Sequence, residues 1–218
     1  MFNCLSATEN RSAQKKYKRS GATRSNASAE PPTHWNPSHR QWLEEVVNNL
    51  IEHNKVNERY ALHDFVKQEG TAHLVAALCN AGADPNKRNT YPDGANAPLH
   101  VLFFHHPPDL HQKTAILLLA GANLELENDY GEKPLAKLPY DQPELAIAVE
   151  KIKAAVPQVK QEQEKNRVQT ISLVTPILSN GPASIVDEYA FEPVWNKMCP
   201  PLFEKYSGIK LTGESNAS

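Results

Sequence analysis

Two phrases constrain what this chain can fold into: Leu78-Cys79-Asn80-Ala81-Gly82-Ala83-Asp84 and Leu117-Leu118-Leu119-Ala120-Gly121-Ala122-Asn123. Each reads as an apolar helix end, then glycine, a small residue, and Asp or Asn. Glycine takes φ > 0 without steric cost, so it can stop a helix in the left-handed conformation. The Asp or Asn can then bond the backbone of the turn that follows. A chain that stops two apolar helices the same way is building one unit twice.

A second shared phrase precedes each stop, Ala61-Leu62-His63 and Ala97-Pro98-Leu99-His100. Proline suits the first turn of a helix, where no N–H is needed. The unit is therefore helix, turn, helix, glycine stop and extended loop. In this order the phrases resemble the ankyrin repeat, whose usual form runs T-P-L-H and later G-A-D-x-N. His63 to His100 spans 37 residues and Gly82 to Gly121 spans 39, both longer than that family's period of roughly 33. The excess falls in the loop between Asn86 and His100 and between the two helices after His100. The resemblance covers about residues 38–155. It implies an all-α solenoid of three to four helix pairs, with finger loops on one side and a concave binding face.

Around those units the chain reads as three parts. Residues 1–35 are rich in Ser, Asn, Ala and Lys, cannot bury enough surface to offset ordering entropy, and are expected to be a disordered basic tail. Over residues 1–34 six basic side chains stand against two acidic ones. Lys15-Lys16-Tyr17-Lys18-Arg19 could serve nuclear import or phosphate binding, or be a solvated tail. Residues 36–156 hold the repeats. Asn36-Pro37 opens a helix on which Trp42, Val46 and Leu50 form one apolar row and Leu43, Val47 and Ile51 another, so 38–57 reads as a degenerate first unit. Leu62, Phe65, Val66, Val75 and Leu78 are the expected core of the second unit. Leu99, Leu102, Phe103, Leu117 and Leu118 are that of the third. Tyr91-Pro92-Asp93-Gly94 is an expected turn in the long finger. A fourth unit opens at Asp129, and its second helix, expected over 143–155, turns Leu145, Val149 and Ile152 inward. Residues 157–218 no longer repeat and are expected to be an irregular, partly helical extension docked on the last unit, fraying from Leu211.

Composition narrows the function classes. A formal net charge of −2 gives no global field for nucleic acid or membrane. Three well-separated cysteines, Cys4, Cys79 and Cys199, make no disulfide framework and fit a reducing cytosol. No apolar run approaches the ~18 residues of a membrane span, and the N-terminus lacks the apolar core of a secretory signal.

Several constellations invite chemistry. His105, His106 and His111 could together hold Zn²⁺, but Pro107-Pro108 prevents a regular helix between them and no Cys or other carboxylate than Asp109 lies near. A polar surface insertion with no metal is the expectation. His63 and His100 could be catalytic by type; in this setting the expectation is backbone bonding between neighbouring units. Cys199 as a nucleophile would need a base, residues 156–218 contain no histidine, and Cys199-Pro200-Pro201 reads as a turn.

The positions one and four after His100, Val101 and Phe104, fall on the concave side, and one unit earlier these are Asp64 and Lys67. The resemblance therefore implies a partner-binding set: Asp64, Lys67, Val101, Phe104 and His105 on the helices; Lys87, Arg88, Tyr91, Asp93 and Asn96 in one finger; Tyr130 and Glu132 in the next. The implied function is a monomeric, cytoplasmic scaffold or adaptor that binds a protein and has no catalytic residue or cofactor. Two alternatives stand beside it: an effector secreted by a bacterium to engage a host protein, and an enzyme site completed by the C-terminal extension around Cys199.

Overall fold

The computed structural model describes residues 37–58, 60–89, 94–178, 194, 195, 197 and 199–211, without the side chains of 37–40 and 170–178. The expectations for the basic tail and for Tyr91 and Asp93 lie outside the described residues. What is described is all helical: α1 Pro37–Glu52, α2 Ala61–Val66, α3 Ala72–Asn80, α4 Pro98–His105, α5 Leu110–Leu119, a 3-10 turn over Pro134–Lys137, α6 Pro143–Leu178 and α7 Cys199–Ser207.

Three helices stop by the same device. After α1, α3 and α5 the chain turns left-handed at Asn54, Gly82 and Gly121, with φ of 54°, 86° and 98°. The next amide then reaches back five residues: Lys55 to Leu50 at 2.7 Å, Ala83 to Leu78 at 2.9 Å and Ala122 to Leu117 at 2.8 Å. These bonds satisfy carbonyls that the helix end would otherwise leave bare. Glycine occupies two of the three sites; Asn54 serves at the first because asparagine tolerates this conformation.

The helices lie in two rows. α1 packs on α3, α3 on α5 and α5 on α6 in one row; α2 packs on α4, and α4 on the 3-10 turn, in the other. Between the rows lies the core, in which Leu62, Phe65, Val66, Val75, Leu78, Leu99, Leu102, Phe103, Leu117 and Leu118 are all buried, as the periodicity predicts. On α1 the two apolar rows separate. Leu43 and Val47 are buried, whereas Trp42 is 54% exposed and Val46 and Leu50 are half-buried. Only one row of a single helix can face α3, and among the described residues no further helix packs on the other.

The C-terminal part differs from expectation in four respects. α6 does not end at 155 but runs on to Leu178, through Pro157. Proline removes one helical hydrogen bond; Ala155 and Val159 on either side are buried, so packing carries the helix across it. The first helix of the fourth unit is reduced to the 3-10 turn. Cys199-Pro200-Pro201 is not a turn but the start of α7, since a first helical turn needs no N–H from these prolines. α7 packs on α6 and buries Cys199 and Phe203 completely, and Leu211, expected to fray, is buried too. Leu211 is held by its amide, which donates to Glu204 Oε1 at 3.1 Å.

Candidate interaction surface

α4 is eight residues of mostly apolar sequence, PLHVLFFH, and a helix that short cannot bury every side. Leu99, Leu102 and Phe103 go to the core; Val101 stays half-buried and Phe104 is 65% exposed. The His105 ring meets Phe104 edge-on, with centroids 5.2 Å apart. One helix earlier in the same row, Asp64 of α2 and Lys67 just past its end are exposed and pair at 2.7 Å. The two helices' outward residues are neighbours: burial, and then the Lys67 charge, hold His105 below the ordinary imidazole range.

The fingers are tied down by the two histidines. His63 Nε2 lies 3.0 Å from the carbonyl of Asn96 and His100 Nε2 lies 2.9 Å from that of Glu132. A carbonyl only accepts, so each Nε2 carries the proton and donates. His100 Nδ1 in turn accepts from the Ala97 amide at 3.2 Å, which fixes the neutral tautomer. Burial pushes both histidines below the ordinary range. Their observed geometry is that of connectors between one helix and the next loop.

Asparagines complete the lacing. Asn57 donates to Gly82 O and accepts from the Asp84 amide, at 3.2 and 2.7 Å. Asn86 does the same to Gly121 O and the Asn123 amide, at 2.9 and 2.8 Å. Asn128, buried, accepts from the amides of Tyr130 and Glu132 and donates to Asn96 Oδ1, each at 3.0 Å.

Of the finger residues singled out from sequence, Lys87 sits 5.3 Å over the Tyr60 ring and donates to Asn57 O. Arg88 lies 3.9 Å from Asp129. Asn96 is spent on neighbours in its own and the next loop. The Glu132 carboxylate accepts from Lys137 and Asn128, and the Lys137 bond foremost holds it below the usual carboxylate range. Tyr130 is exposed, and its ring leans across Gly94, where any side chain would collide with it. The structure thus gives Asn96 and Glu132 architectural bonds and leaves Asp64, Lys67, Phe104, His105 and Tyr130 facing solvent.

Sequence reasoning missed two features. The first is Lys113 on α5, wholly buried, whose Nζ donates to the carbonyls of Val66 and Gln68 at the end of α2 and stands 2.9 Å from Asp109 Oδ1. Burial lowers the Lys113 pKa and Asp109 opposes that shift. The expectation of a surface insertion at 105–111 holds only in part: His105 and Pro108 are exposed, but Pro107 and Leu110 are buried, Leu110 within the hydrophobic core. Among the described residues no group of three His, Cys, Asp or Glu could hold a metal.

The second is a groove of about 600 Å³ between α1 and α2, lined by both helices from Trp42 to Leu50 and from Glu58 to Gln68. Asp64 and Lys67 lie on its edge.

Cys79 and Cys199 are buried free thiols, and burial pushes Cys79 up to about 12. Cys199 Sγ is approached by Gln163 Nε2 at 3.1 Å. No described helix is long and apolar enough to cross a membrane. Comparison with protein-family models, with curated proteins and with solved structures gives no match.

Proposed function

We propose that this chain is a protein-binding module built from ankyrin-like helix pairs, and that it engages its partner through the outward side of α2 and α4. The observation that carries this reading is Phe104. A phenylalanine 65% exposed, flanked on the same helix by the completely buried Leu102 and Phe103, is an apolar surface the fold does not use for itself. Exposed aromatic side chains on a rigid helix cost little entropy to dock and are frequent hot spots. Val101, His105, Asp64 and Lys67 supply a mixed rim around it. The ankyrin-like reading draws support from the three matching helix stops, the two histidine connectors and the two-row packing. It places the work of the protein in its surface and assigns no chemistry to Cys199, which α6 and α7 enclose.

The full-length chain as bait, compared with its Phe104→Ala and Phe103→Ala variants, tests the reading. Truncating a central anchor costs about 2 kcal/mol or more, roughly thirtyfold in affinity. Phe104→Ala should therefore lose a partner that the wild type captures while its melting temperature stays within a degree or two. Phe103→Ala should lower that temperature by several degrees. A Phe104→Ala protein that captures the same set in the same amounts removes this face from the function.

A further inference from the structure

α2 of one row lies beside α3 of the other, and α4 lies beside α5. α1 is the exception. It ends as α3 and α5 end, yet nothing among the described residues stands before α2 to pair with it. The groove between α1 and α2 lies at that place. Its α1 wall is Trp42, Val46 and Leu50, spaced one helical turn apart, and its floor reaches Leu43, Ala61 and Phe65. The wall is roughly 12 Å long at 1.5 Å per residue, the length of two turns of helix. The lining carries Glu45, Glu58 and Asp64 against Lys67, a formal net charge of −2; Asp64 pairs with Lys67 at 2.7 Å and Glu58 with Lys55 outside the groove at 3.8 Å, which leaves Glu45 as its open carboxylate.

An occupant of that shape and charge is a short amphipathic helix with apolar residues one turn apart and lysine or arginine beside them. The chain's own N-terminal stretch is a poor candidate. Between Leu5 and Trp35 the one bulky apolar residue is Tyr17, so it has no apolar helical face to lay against Trp42. We infer that the α1–α2 groove receives a basic amphipathic helical segment of another protein, which takes the position where, among the described residues, no inner helix stands beside α1. This rests on the reading of the chain as a protein-binding module and names the chemistry of the partner segment.

Three fluorescein-labelled synthetic peptides of equal length test it with the full-length chain, read by anisotropy. One carries leucines one helical turn apart with lysines elsewhere, one has glutamates in place of the lysines, and one has alanines in place of the leucines. The first should bind saturably and at least about tenfold more tightly than either other, because both the apolar anchor and the complementary charge are needed. Trp42→Ala and Glu45→Lys should each weaken it, Trp42→Ala by about tenfold or more. Both substitutions are at exposed positions, and unchanged far-UV circular dichroism shows that the fold is kept.

The inference is overturned if the glutamate peptide binds as well as the lysine peptide, or if Trp42→Ala leaves binding unchanged. It is also overturned if light scattering shows a dimer that Trp42→Ala dissociates, which would give the groove to a second copy. Phe104→Ala separates this result from the wider reading. If no peptide binds while Phe104→Ala still abolishes partner capture, the groove assignment falls alone; if both fail, the interaction reading falls with it.

Discussion

Replacing Lys113 tests whether a buried cation holds the two rows of helices together. Its side chain is fully buried, while that of Asp109 keeps 15% of its exposure. Lys113→Met retains most of the apolar stem and removes only the charged end. The carbonyl of Gln68 would keep the Thr71 hydroxyl at 2.8 Å, but Asp109 would lose its countercharge and Val66 O its ammonium donor. Removing one partner of a buried ion pair costs about 3–5 kcal/mol. The residual exposure of Asp109 argues for about 3. That is a large share of the roughly 5–15 kcal/mol by which a domain is stable. Urea unfolding followed by circular dichroism should show a midpoint lower by about 1–2 M at an ordinary slope. The double variant Lys113→Met/Asp109→Asn removes the stranded charge and should recover at least about 1 kcal/mol of the loss. A single variant within about 0.5 kcal/mol of wild type would refute the reasoning. A double variant no more stable than the single one would mean that the lost lysine contacts, not the stranded carboxylate, set the cost.

Burial lowers the pKa of His63 and of His100, so as the pH falls the unfolded chain takes up protons first, near about 6.5. Stability should therefore be fully present above that pH and decline as the pH drops through the lowered folded values; urea midpoints at pH 7.5 and 5.5 check this, and His100→Gln should flatten the decline. At Gly82, φ is +86° and a Cβ would meet nothing within 4 Å, so Gly82→Ala should cost only the left-handed backbone penalty of about 1–2 kcal/mol. A loss well beyond that in thermal unfolding would mean that the turn is packed more closely than its geometry indicates.

Much of the architecture was legible because it is written in local chemistry. The glycine stops, the Leu-His starts and the alternation of buried and exposed positions on α4 each follow from residues a few places apart. That is why Phe103 and Phe104 could be assigned opposite sides from sequence, as their burial bears out. What stayed hidden depends on contacts distant in the chain. Lys113 looks like any surface lysine until the end of α2 is placed 45 residues away against it. Trp42 looks like core because its spacing with Val46 and Leu50 is apolar; only the absence of a described helix beyond α1 leaves it in a groove. The length of α6 was missed because the inward positions read from the repeat end at Ile152, and α7, which packs on α6, is written in residues 199–207. Asn57 and Asn86 read as turn residues, and their second role, bracketing the following helix stop, appears once neighbouring loops lie side by side.

The C-terminal segment makes a claim of its own on stability. The backbone of Trp195 exchanges two hydrogen bonds with the Asn80 amide, at 2.9 and 2.8 Å, and Asn80 is the last residue of α3. The Trp195 ring stacks on Phe203 with centroids 5.8 Å apart, and Gln163 of α6 reaches Val194 O at 3.3 Å. One short stretch therefore joins α3, α6 and α7, elements more than a hundred residues apart at the extremes. Asn80 can satisfy both its amide groups only while Trp195 stays in place, and Trp195 stays only while Phe203 lies beneath it. Phe203→Ala should cost about 3–5 kcal/mol as a large-to-small change in a packed site. Asn80→Ala should cost less, about 1–2 kcal/mol for the lost hydrogen bonds. The decisive measurement is amide hydrogen exchange in Phe203→Ala. If the segment is part of one cooperative structure, protection should fall across residues 74–80 of α3 as well as in α7. Exchange that quickens in α7 alone would make the segment an appendage on α6, and the bonds to Asn80 would carry no coupling between the two ends of the chain.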